Sequence, residues 1–328
     1  MISPLASRKV AAAVVLVCIL LAAGCNEDAP GLHEGGYQLR AYWTARDTPA
    51  GGLERPIGVA VGPDGSVYVT DARRRVVRFL AGGTYLGEWS GPPGASIFRN
   101  PVGIAVSRDN AVYVSDFERD RVVKIDVGGN VVLEFGGHGG APGEFDGPAG
   151  LAVDADGSVY VADFYNSRVQ QFTADGKYVQ TVGQPGRIAA GGLNYPTGVA
   201  VGRDALVVAD AYNYALKWFS RDGAPDAELG YRLLWLWPRP ADGVEGFNVP
   251  TGAAVARDGT LHVADSANHR VAMLSHKREL LAEWKLPEPD ERVYSPEQVA
   301  VSPDDATVYA TDLANDRLIV LDVIRIAP

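Results

Sequence analysis

The apolar positions of the chain fall into four short runs in a fixed order, and that order repeats six times. Each unit opens on a proline: PIGVAV at 56, PVGIAV at 101, PAGLAV at 148, PTGVAV at 196, PTGAAV at 250 and PEQVAV at 296. The spacings between these prolines are 45, 47, 48, 54 and 46 residues. A second run, such as SVYVTD or AVYVSD, closes on Asp71, Asp116, Asp163, Asp210, Asp265 or Asp312. A polar turn leads to a third run, such as RVVRF or RVQQF, and then to a fourth, such as TYLGEW or KYVQTV. The runs are rich in β-branched and aromatic residues and bounded by Gly, Asp, Asn and Pro, which predicts strands joined by hairpins. No segment carries a sustained helical period.

Four antiparallel strands in a unit of roughly 40 to 50 residues are the mark of a propeller blade. The expected fold is therefore all-β, a six-bladed β-propeller over residues 37–328. The sixth unit shows only three runs after its proline, ending in LIVLDVIRIAP. The fourth is expected from the other end of the chain, where GYQLRAYW, ending at Trp43, matches GTYLGEW, ending at Trp89. That N-terminal strand is predicted to complete the last blade and remove an open sheet edge.

Residues 1–36 read differently. Arg8 and Lys9 precede an apolar run from Val10 to Ala23, too short to span a bilayer but of signal-peptide length. It ends in Leu21-Ala22-Ala23-Gly24-Cys25, which resembles a bacterial lipobox, with the Leu one place upstream of its usual position. The resemblance implies cleavage before Cys25 and lipid attachment there, giving a signal peptide at 1–24 and a lipidated Cys with a Gly- and acid-rich tether at 25–36. The alternative is an ordinary signal peptide in which Cys25 is incidental. Two or more acyl chains would anchor the protein stably in the cell envelope. Asn26 rather than Asp after the Cys favours the outer membrane if the source is Gram-negative.

Composition narrows the functional classes. The 38 Gly and 21 Pro favour tight turns. The two Cys, Cys18 in the leader and Cys25, leave no disulfide scaffold and no Cys-rich zinc module. Loss of Arg8 and Lys9 with the leader leaves 28 basic against 40 acidic residues, a net charge of −12. Such a surface argues against nucleic acid as a partner.

The repeats resemble the NHL (Asn-His-Leu) repeat, most fully in FGGHGGAPGEFDGPAGLAVDADGSVYVADFYNSRVQQF of the third unit. The resemblance covers residues 37–328 and implies the propeller fold. It constrains activity little, since similar proteins include glycan- and protein-binding modules, kinase sensor domains, RNA-binding domains and an amidating lyase. In that lyase, histidines just after the blade-opening Pro hold zinc. Here those places carry Ile57, Val102, Ala149, Thr197, Thr251 and Glu297, so no imidazole triad is expected. His138 falls in a Gly-rich connector and His262 replaces a strand Tyr. Other six-bladed propellers, the lactonase group, hold calcium on inner-strand Glu, Asn and Asp. The corresponding channel-mouth candidates are Asn100, Asn194, Asn248 and Glu297, although turn chemistry explains the Asn residues equally well.

The six strand-end aspartates are expected to be structural, each capping a turn and lying four or five residues before an Arg; the fourth unit has Ala215 in that place. The turns after them and the connectors leading to the next Pro emerge on one face of the ring. Candidate partner-binding residues on those turns are Tyr165, Tyr212, Tyr214, Arg73 and Arg74, because exposed aromatics beside Arg suit recognition. Phe117 and Phe164 are expected to pack on neighbouring connectors instead. The same face receives the long connector of the fourth unit, YRLLWLWPRPADGVEGF at 231–247, with Tyr231, Trp235, Trp237 and Phe247. Trp235 and Trp237 would share one side of a strand-like strip, serving as a docking surface or as a lid over the channel. No cofactor and no catalytic residue is expected. The functional expectation is a lipid-anchored, extracytoplasmic scaffold for a protein or glycan of the envelope; the alternative is a metal-dependent propeller lyase or lactonase-type hydrolase.

Overall fold

The computed structural model describes residues 36–91, 95–187, 189–230, 246–285 and 295–324, together with the backbone of 232–234 and 237–239. Cys25 lies outside them. Six antiparallel four-stranded sheets follow one another along the chain. Blade one contains Val59–Val61, Val67–Asp71, Arg75–Phe79 and Tyr85–Trp89, and blade two Pro101–Val106, Val112–Asp116, Arg121–Ile125 and Val131–Gly136. Blade three holds Pro148–Val153, Val159–Asp163, Arg168–Phe172 and Tyr178–Val182; blade four holds Pro196–Val201, Ala205–Asp210, Ala215–Ser220 and Pro225–Gly230. Blade five comprises Pro250–Val255, Leu261–Asp265, Arg270–Leu274 and Leu280–Lys285. Within each blade these strands are called a to d, from the channel outward.

Blade six takes Pro296–Val301, Thr307–Asp312 and Arg317–Ile324 from the end of the chain and Gly36–Trp43 from its beginning. The closing pair is antiparallel, with Gly36 opposite Ile324 and Trp43 opposite Leu318, and an irregularity between Leu39 and Ala41. Trp43 then packs its ring 5.5 Å from Phe79 of blade one and 5.5 Å from Tyr309 of blade six. On the other side, the Tyr37 hydroxyl lies 2.7 Å from Nδ1 of the buried His262 in blade five. The N-terminal strand thus meets both neighbours of its own blade, and the predicted closure holds.

The ring is narrow because the motif Pro-x-Gly allows it. Strands a of successive blades touch, and that of blade six touches that of blade one. A Cβ on Gly58 would lie 2.2 Å from the Val102 carbonyl oxygen, on Gly103 2.3 Å from that of Ala149, and on Gly150 2.6 Å from that of Thr197. Any side chain there would force the blades apart. Hydroxyls stitch the same seam: Thr70 donates to the carbonyl of Val102, Ser115 to Ala149, Thr251 to Pro296 and Thr311 to Ile57. Blade six carries Gln298 where the other blades carry this glycine. Its amide donates to the Thr251 carbonyl at 3.1 Å, and its Nε2 lies 3.4 Å from the place a Gly150 Cβ would take on the opposite blade. The side chain therefore spans the channel.

Strands b and c are buried on both faces, and their Val, Leu, Ile and Phe side chains fill the spaces between blades. Burial of this apolar surface is the main stabilising term, roughly 25 cal/mol per Å².

Candidate functional site

Six carboxylates organise the face on which the b–c turns emerge. Asp71, Asp116, Asp163, Asp210, Asp265 and Asp312 are each fully buried at the end of strand b. Five of them accept a backbone N–H from the preceding d–a connector, donated by Glu54, Asn100, Asp146, Asn194 and Asn248 respectively. In blades three to five the other oxygen also accepts from the amide of Asn166, Asn213 or Asn268 within the b–c turn, and in blade six the Asn315 amide donates to Asp312 Oδ2. Burial pushes the Asp71, Asp163, Asp210, Asp265 and Asp312 carboxyls above their usual range, while cations and hydrogen bonds pull them back.

The cation comes from strand c. Arg75, Arg168, Arg270 and Arg317 reach their aspartates at 2.9, 2.7, 2.7 and 2.8 Å, and Arg121 stands 3.7 Å from Asp116. Blade four has Ala215 in the arginine's place, and Lys217, two residues on and on the same side of the strand, reaches Asp210 at 3.0 Å. The sequence pattern suggested a gap there; the structure fills it from the next same-facing position.

At the centre of the ring lies a cavity of about 200 Å³. It is lined by the residue after the opening proline of every blade, Ile57, Val102, Ala149, Thr197, Thr251 and Glu297, with Asn100, Phe117, Phe164 and Gln298. The hydroxyls of Thr197 and Thr251 are spent on backbone carbonyls. Glu297 is the ionisable group in this lining. Burial raises its carboxyl above the usual value, against the lowering effect of hydrogen bonds from Ser295 and Ser266. Ser295 donates to Glu297 Oε1 at 3.2 Å, and its own oxygen lies 2.8 Å from that of Ser266.

An aromatic cluster rises beside this mouth. Phe117 packs on Phe164 and Tyr165 with centroids 5.9 and 5.8 Å apart, and Phe164 packs on Tyr195 at 5.0 Å. Tyr195 continues to Tyr212 at 5.1 Å. The cluster crosses from blade two to blade four, with Phe117 and Phe164 half-buried against the cavity. Tyr165 and Tyr212 stand 54% and 49% exposed at its edge. Tyr195, a connector residue held at φ 53°, was not foreseen by pattern; its place just before the blade-four proline was the available signal.

The other predicted positions separate. Tyr214, 38% exposed, joins none of these ring pairs. Arg73 is held by Glu54 and by the carbonyls of Ala50 and Gly51, Arg75 is buried, and Arg74 is left exposed; three consecutive arginines do not make a basic face. Asn100 lines the cavity, whereas Asn194 turns its amide to the Tyr212 carbonyl at 3.0 Å. Asn248 serves Asp265 through its backbone. Phe247, expected on the surface, is only 1% exposed and packs in the blade four–five core, with the Arg270 guanidinium 5.8 Å from its ring centroid. It is framework, since it follows the long connector at the point where the chain re-enters the ring. Tyr231 and Trp235 lie outside the described residues. The backbone of Arg232–Leu234 pairs antiparallel with Trp237–Arg239, Leu234 opposite Trp237.

Segments 98–125, 145–172 and 247–272 match the NHL repeat model. No curated protein matches the chain. Among solved structures, a streptogramin B lyase is similar at 14% identity and TM-score 0.58, covering 89% of this chain and 99% of its own. A catalytically inactive virginiamycin B lyase from Staphylococcus aureus with quinupristin is similar at 17% identity and TM-score 0.58, covering 88% and 100%. A gluconolactonase from Xanthomonas campestris is similar at 17% identity and TM-score 0.60, covering 89% and 91%. At these identities the likeness is one of fold. Six closed blades and these likenesses agree: the chain is a six-bladed β-propeller, three segments of which match the NHL repeat.

Proposed function

We propose that the protein is a lipid-anchored binding propeller of the bacterial cell envelope, docking a protein or glycan on the face that carries the b–c turns. The observation that carries this reading is the aromatic cluster ending in the exposed rings of Tyr165 and Tyr212, set beside a central cavity. Rigid aromatic rings on a fixed scaffold provide contact area at small entropic cost, and they stack equally on sugar faces and apolar side chains. The hairpin of the blade-four connector is assigned to the same face, with Trp235 and Trp237 as further contacts.

The test begins with a pull-down from envelope extract and a glycan array, both probed with the purified propeller. Tyr165→Ala and Tyr212→Ala are then compared with the parent. Buried interface aromatics cost about 2 kcal/mol on truncation, so roughly thirtyfold weaker binding at unchanged thermal stability supports the reading. Undiminished binding in both variants removes it. Anchoring is tested separately: Cys25→Ser should release the protein from membranes or leave it unprocessed.

One observation favours a hydrolase or lyase as second reading. Glu297, desolvated in the cavity, has the raised carboxyl expected of a general acid, on a fold shared with a lyase and a gluconolactonase. Against it, Glu297 has no second acid beside it in the cavity lining. Turnover of lactone substrates that is lost in Glu297→Gln would establish this reading over the first.

A further inference from the structure

Asp120, His138 and Asp146 come from three separate points of the chain and meet at the seam between blades two and three, with their ligand atoms all within 4.8 Å of one another. Asp120 ends the b–c turn of blade two in a left-handed conformation, φ 51°. Its Oδ1 accepts the Gly147 N–H at 2.8 Å, which fixes the carboxylate and leaves Oδ2 facing His138 Nδ1 at 3.1 Å. His138 is itself held in register with Phe145: Gly139 donates to the Phe145 carbonyl at 2.9 Å and Phe145 to that of Gly137 at 2.8 Å. Asp146 follows at once, its backbone tied to Asp163.

The charge pattern is what sets this cluster apart. Each buried strand-end aspartate faces an Arg or Lys. Among the described residues, neither Asp120 nor Asp146 has such a partner, yet the two carboxylates approach each other. Asp316 occupies the corresponding turn position in blade six and likewise accepts a connector N–H, from Arg55 at 2.8 Å. Turn capping thus explains one oxygen of Asp120. It does not explain a second carboxylate and an imidazole converging on the other.

We infer that Asp120, His138 and Asp146 form a divalent-cation site of the zinc class. One imidazole nitrogen and two carboxylate oxygens are a donor set that suits zinc and its first-row neighbours. Two ligands bonded to tetrahedral zinc at about 2.1 Å lie about 3.4 Å apart, close to the 3.1 Å already separating His138 Nδ1 from Asp120 Oδ2. The Gly147 N–H acts as the outer contact that orients a ligating carboxylate. A rotation of the exposed His138 and of the Asp146 side chain completes a three-ligand site with a fourth position open to water. The site is separate from the central cavity, where Glu297 stands alone. It also braces the aromatic cluster. Tyr165 N–H donates to the Asp146 carbonyl at 3.0 Å, and a Cβ on Gly147 would touch Phe117 and Tyr165. That last consequence rests on the binding role proposed above; the metal site does not.

Zinc titration of the purified full chain by calorimetry tests the site, with cobalt absorption as a report of nitrogen and oxygen ligation. The expected result is one ion per chain, with affinity at least tenfold weaker in His138→Ala and in Asp146→Asn. A zinc-dependent rise in melting temperature should vanish in both variants. His138 is exposed, so its alanine variant should melt with the parent in the absence of metal; Asp120→Asn keeps the acceptor for Gly147 and provides a third, folded variant. Absence of binding at millimolar zinc, or binding that all three variants retain, overturns the assignment.

Discussion

Lys217 reaches the Asp210 carboxylate at 3.0 Å from a position two residues beyond the one that holds arginine in the other five blades. Both groups are buried, at 2% and 0% exposure. Removing one partner of such a pair leaves an uncompensated buried charge, a cost of about 3–5 kcal/mol. Lys217→Met is therefore expected to destabilise the ring by about that amount in urea unfolding. The double variant with Asp210→Asn should recover part of the loss. A Lys217→Met protein as stable as the parent would show that the pair does nothing for folding.

Closure of the ring makes a second prediction. Trp43→Ala removes a ring packed between blades one and six and should cost about 3 kcal/mol. Deleting 36–43 uncovers the strand from Leu318 to Ile324 along its length, so it should lower the melting temperature and promote aggregation. Trimming 26–34 should do neither. Matching melts for the two truncations would contradict the pairing.

The inner glycines make a third. Gly103→Ala places a methyl group 2.3 Å from a backbone oxygen of the next blade, and the resulting overpacking should cost about 2 kcal/mol or more. Gly36→Ala, which meets nothing within 4 Å, should stay within about 0.5 kcal/mol of the parent. Chemical denaturation of the two variants checks the contrast; equal losses would mean that close approach is not the constraint.

Glu297 makes a fourth, in pH. Burial raises its folded-state pKa above the ordinary 4.5. A carboxyl with a higher pKa folded than unfolded binds more protons in the folded state between the two values, so stability increases as pH falls through that interval. Asp71, Asp163, Asp210, Asp265 and Asp312 shift in the same direction, so the parent's slope is composite. Glu297→Gln should be more stable than the parent near neutral pH, with the advantage shrinking toward pH 4.5. Urea midpoints across that range decide it, and an advantage that does not change with pH would defeat the assignment.

The fold was legible because six copies of one pattern report the same strands, and because GYQLRAYW matched the missing strand of the last copy. The strand-end aspartates were legible as turn residues with an arginine at a fixed distance. Lys217 was hidden by counting residues rather than faces, since Ala215 and Lys217 point the same way along a strand. Phe247 was misplaced because its apolar neighbours at 231–237 suggested one continuous surface, whereas the chain returns to the core before Pro250. The meeting of Asp120, His138 and Asp146 was not legible at all. Their separations of 18 and 8 residues follow no strand or helix period, and glycine-rich connectors bring them together.

Gln298 has a consequence for the polarity of the cavity. Because its side chain reaches across from blade six toward blade three, a polar amide lies over the axis where the other five blades present glycine. Glu297 and Gln298 line one cavity with Phe117 and Phe164, so an occupant would meet a carboxyl and an amide from blade six and aromatic rings from blades two and three.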